Sequence, residues 1–300
     1  MSTIDAGGSG GAVYDRGYRP YDGPRGARGA ATFALYKASI RRALGLRRSW
    51  RQKLAPFVLL AVVTIPAVIN VGIGYVTRNQ EIDRFEIVTY RDYVGVSSAL
   101  LLFVALVAPD VVCPDRRQRV LPLMFARPLT GVDYVVAKVA AIATILFAFS
   151  FLPQVLLFVG NMLVSDSALS YFKGHLDVLW MVPVSVVLLA VYYAVIGVAI
   201  ASLTDRRIVA GAAVIGLFLV TSIASGILVG EEQLDGSPAA LINVLALPLY
   251  LRDIVFLGHV DPTSPLGGVA YGGIIAAAVY VVVVATGSAV LLWRYRWVER

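Results

Sequence analysis

Six stretches of the chain are apolar at nearly every position: residues 54–76, 94–112, 135–164, 179–203, 208–229 and 269–293. None breaks into the 3.6-residue alternation that would give a helix one wet face, so each is expected to be a helix surrounded by apolar neighbours. Each has about 19 residues or more, enough at 1.5 Å per residue to cross ~30 Å of hydrocarbon. The pattern predicts an all-α integral membrane protein with six transmembrane helices.

The intervening segments are of three kinds. Residues 1–29 repeat Gly, Arg and Tyr without an apolar period and predict an extended, flexible cytoplasmic tail. In residues 30–53, Phe33, Tyr36, Ile40, Leu44 and Trp50 fall near helical spacing, while Lys37, Arg41, Arg42, Arg47, Arg48, Arg51 and Lys53 form a cationic face. That arrangement suits a helix lying in the membrane interface, although a solvated positive flank would use the same charges. Residues 239–257 are apolar but interrupted by Asn243, Pro248 and Arg252-Asp253. They are too broken to span a bilayer and predict a re-entrant or interfacial helical segment between the last two spans. The transmembrane unit then covers 54–300, with Pro56, Pro66 and Pro153 as expected kinks.

Charge orients the bundle. With the N-terminus inside, 21 Lys and Arg face the cytoplasm, counting Lys138 at the start of the third span, and five face out: Arg78, Arg84, Arg91, Lys173 and Arg252. Acidic residues divide as 8 inside and 11 outside. The positive-inside rule therefore places both termini in the cytoplasm, and the formal charge of +7 reflects orientation rather than nucleic-acid binding. The first 30 residues lack the apolar core of a signal peptide, so the first span is expected to direct its own insertion. The single cysteine, Cys113, cannot form an intrachain disulfide.

Chemistry is sparse. The spans hold almost no ionisable side chains, which argues against proton or ion coupling by this chain alone. His175 and His259 lack neighbouring metal ligands, and no Gly-x-x-x-x-Gly-Lys-Ser/Thr run occurs, so no metal, cofactor or enzymatic activity is expected in this chain. Scattered polar residues, among them Asn70, Ser97, Gln154, Tyr192, Thr221 and Ser225, could line a substrate path or form interhelical hydrogen bonds. Gly226 with Gly230, and Gly268 with Gly272, have the four-residue spacing that allows close helix approach.

The loop 110–134 has a basic cluster, Arg116, Arg117 and Arg119, then the apolar Leu121, Leu123, Met124 and Phe125, then Arg127-Pro128. Apolar groups rimmed by charge mark a partner surface. The run Cys113-Pro114-Asp115-Arg116-Arg117, continuing through Ala126-Arg127-Pro128-Leu129 to Tyr134 and Lys138, resembles the membrane subunit of bacterial ATP-binding-cassette transporters of the type-2 permease family. The likeness covers residues 31–300. It implies a plasma-membrane permease, as exporter, that pairs with itself or a similar chain and with two ATPase subunits binding ATP and Mg. It further implies that 30–53 is a connecting helix and that the loop carries a coupling helix. Leu121, Met124 and Phe125 would then contact the ATPase, oriented by Arg116, Arg117, Arg119 and Arg127. The rival reading is a non-transporting membrane anchor or assembly platform for a cytoplasmic partner.

Overall fold

A computed structural model describes residues 28–46, 50–77, 89–94, 97–125, 129–232 and 236–296; the tail expected at 1–29 lies almost wholly outside them. The elements in order are α1 (Arg28–Ala43), α2 (Trp50–Thr77), α3 (Tyr90–Tyr93), α4 (Ser97–Arg117), α5 (Leu121–Phe125), α6 (Gly131–Val164), α7 (Ala168–Gly174), α8 (Val178–Ser202) and α9 (Arg207–Glu232). A 3₁₀ helix (Pro238–Ile242), α10 (Leu247–Leu257) and α11 (Gly272–Arg296) complete the chain. Among the described residues there is no strand.

Five helices are long and apolar enough to cross a membrane: α2 from Phe57, α6, α8, α9 to Gly230, and α11. The stretch 94–112 forms most of α4, whose last turns carry Asp110, Asp115, Arg116 and Arg117. The expected helix over 30–53 divides in two. Gly45, at φ 65°, ends the first part in a Schellman turn: Leu46 N–H donates to the Arg41 carbonyl and Gly45 N–H to that of Arg42. Trp50 then opens α2.

The centre of the bundle is α8, 72% buried over its most apolar window, against 17% for α2, α9 and α11. It is hydrophobic all round because α4, α6, α9, α10 and α11 all pack on it. Close approach rests on missing side chains: a Cβ on Gly197 of α8 would lie 2.4 Å from Val104 Cγ1 of α4, and one on Gly160 of α6 would lie 2.3 Å from Val71 Cγ2 of α2.

The long helices alternate in direction, which gathers two sets of ends. One holds α1, α5, the ends of α4, α8 and α11, and the starts of α6 and α9; the other holds α3, α7 and the start of α11. Between α9 and α11 the chain turns back into the bundle. The carbonyls of Val244 and Leu245 accept hydrogen bonds from Tyr192 and Tyr193, each at 2.8 Å. Those tyrosines stand about 21 Å along α8 from its first residue, at 1.5 Å per residue.

Candidate partner-coupling joint

α5 is a five-residue helix on the short connection between α4 and α6, and its base is built from buried charge. Asp115, in the last turn of α4, is fully buried. Its carboxylate accepts from Lys138 Nζ of α6 at 2.6 Å, from the Tyr134 hydroxyl at 3.0 Å and from the Arg42 guanidinium of α1. Lys138 is itself buried and also donates to the Val111 carbonyl at 3.0 Å. Three elements therefore meet on one carboxylate. An ion in a low-dielectric interior persists only when paired and hydrogen-bonded, so the meeting point is geometrically demanding.

Further contacts extend the joint. Arg116 donates to the Ser202 carbonyl at the end of α8 and pairs with Asp205 at 3.0 Å. Asp110 pairs with Arg207 at the start of α9. The Tyr134 ring packs at 4.8 Å between centroids, tilted by 45°, on Tyr295 near the end of α11. The other end of α1 is fixed by Arg28, which pairs with Asp133 at 2.7 Å and donates to Thr130 at 2.8 Å. Thr130 and Asp133 form the capping box that starts α6, so one cap both begins a helix and holds α1 against it.

The residues expected to contact a partner divide by exposure. Arg117 and Arg119 are exposed, with Arg119 in the left-handed region at φ 51°. Arg116 is half-buried in the pairs above, Leu121 is buried, and Met124 and Phe125 are half-buried against the bundle, the Phe125 ring edge-on to Tyr134. Pro122 is exposed between them. Arg127 and the Leu123 side chain lie outside the described residues.

The polar residues of the spans do not gather at one surface. Gln154 donates to the Tyr90 carbonyl at 3.1 Å; Tyr192 holds Val244 and Ser225 donates to the Ala239 carbonyl at 3.2 Å. Thr221 bonds back to the Leu217 carbonyl of its own helix. Asn70 is buried in α2, and the Ser97 side chain lies outside the described residues. At the α3 end, Arg91 pairs with Asp261 at 2.7 Å, and bonds from Thr263 and Arg91 hold the Asp261 carboxyl down at about 2. Among the described residues no group of His, Cys, Asp and Glu is placed to hold a metal.

The sequence reading missed the Asp115–Lys138–Arg42 cluster. Its signal was present in Lys138, which opens an otherwise apolar span, and a charge so placed calls for a partner. No protein-family model and no curated protein matches this chain.

Proposed function

We propose that this chain is the membrane-spanning permease subunit of an ATP-driven export complex, with ATP and Mg bound by separate ATPase subunits. In this reading α4 is the sixth crossing, the turn at 244–245 is re-entrant from the outer face, and the α1 end lies in the cytoplasm. The observation that carries the reading is the joint under α5. A permease driven by a partner must convert a push on a cytoplasmic element into movement of several helices together. The short α5 meets that need, because its two flanking helices share a buried ion pair that also fixes α1. Through Arg116 and Tyr134 the same connection reaches the ends of α8 and α11.

Leu121, Met124 and Phe125 then seat α5 on the bundle, while Arg119 and Pro122 face the partner. The test is a mild-detergent pull-down of the tagged chain with mass spectrometry. The expected result is an ATPase carrying a P-loop, lost from the Arg119→Glu, Pro122→Asp double variant with the permease still in the membrane. Repeated absence of any ATPase beside intact permease would instead favour the anchor.

A further inference from the structure

An open cavity of about 1570 Å³ runs between α2, α4 and α9 at the α1 end. It exceeds the ~300–1,000 Å³ of ordinary small-molecule pockets. α4 forms its floor. A Cβ on Gly211 of α9 would lie 2.8 Å from the Ala105 carbonyl, so α9 lies directly on α4. α2 packs on α4 only lightly, and little contact joins α2 to α9. The lining is apolar and open: Val58 and Val62 from α2, Leu102 and Leu106 from the α4 floor, and Ile215 from α9. The mouth is charged, with Asp110, Arg117, Asp205, Arg206 and Arg207. Both mouth carboxylates are engaged, Asp110 with Arg207 and Asp205 with Arg116. Arg117 and Arg206 are exposed and make no ion pair with a described residue.

We infer that this cleft holds one phosphate-headed anionic lipid of the inner leaflet, its chains along the apolar walls and its phosphate between Arg117 and Arg206. A tall apolar slot ending in surplus guanidinium groups matches an amphiphile with one negative end. The positive-inside pattern puts that end at the inner leaflet, where anionic headgroups concentrate. A second copy of the chain suits the slot less well: a two-fold interface would bring the same two arginines to both sides of it. The inference holds whether or not an ATPase partners the chain.

The probe is the isolated chain reconstituted in vesicles of equal phosphatidylglycerol and phosphatidylcholine, with no other amphiphile present, released into mild detergent and weighed by native mass spectrometry. One phosphatidylglycerol per chain should be retained, at least tenfold over phosphatidylcholine. Arg117→Gln with Arg206→Gln should cut that retention about tenfold, and Leu106→Trp, which fills the slot, should do the same. Arg296→Gln, exposed at the same end of the bundle and outside the cleft, should leave it unchanged. Equal retention of both lipids by the unaltered chain, retention indifferent to the arginines, or lipid-free dimers would each overturn the assignment.

Discussion

Asp115 shows how much one carboxylate can organise in a chain with few charges. It is fully buried and joins α1, α4 and α6 through Arg42, Lys138 and Tyr134. Removing one partner leaves the other ion buried without compensation, which costs about 3–5 kcal/mol, whereas replacing a buried pair by apolar groups is often neutral. Asp115→Asn and Lys138→Met should therefore each destabilise the protein by about 3–5 kcal/mol, and Asp115→Leu with Lys138→Met should recover most of the loss. Denaturation in mixed micelles measures this. Single variants losing under about 1 kcal/mol, or a double variant as unstable as the two losses summed, would show that the cluster does not hold the joint.

Among the elements, what was legible in the sequence follows from what each signal measures. Unbroken apolarity located α2, α6, α8, α9 and α11 within a few residues, because crossing a bilayer demands length and apolarity together. It did not reveal that α1 ends at Ala43, since that stop is a backbone event at Gly45. Nor did it show that Tyr192, Tyr193 and Ser225 serve the turn between α9 and α11, because an isolated hydroxyl looks the same facing a cavity or a carbonyl. Helix approach in a membrane depends on small residues, and Gly160 tests this. Gly160→Ala should force α2 away from α6 and cost about 1–3 kcal/mol through overpacking, and adding Val71→Ala should relieve it by vacating the colliding atoms. A double-mutant cycle measures the coupling; strict additivity would mean that the two helices do not meet at this point.

At the scale of the whole molecule the open step is the passage from five apolar helices to six crossings, and it turns on α4. Asp110, Asp115, Arg116 and Arg117 lower the apolarity of its last turns, yet Asp115 is neutralised inside the bundle, and Asp110 and Arg116 are paired at its end. A helix that satisfies its charges at one end can still bury the rest of its length, since each pair removes an ion that would otherwise oppose insertion. In the proposed six-span arrangement the Lys and Arg of the sequence divide 21 to the cytoplasmic side and five to the other, the bias that sets orientation under the positive-inside rule. Single cysteines in a Cys113→Ser background test both points, using exposed Thr89 before α4, Arg119 after it, Lys173 in the last turn of α7 and Arg206 before α9. A membrane-impermeant maleimide should label Thr89→Cys and Lys173→Cys in intact cells, and Arg119→Cys and Arg206→Cys only in inverted vesicles. Labelling of Thr89→Cys and Arg119→Cys from the same side would mean that α4 does not cross. That result would remove the sixth span and place both flanks of α4 in one compartment, where no push on α5 from the cytoplasm could be carried along α4 to the opposite face.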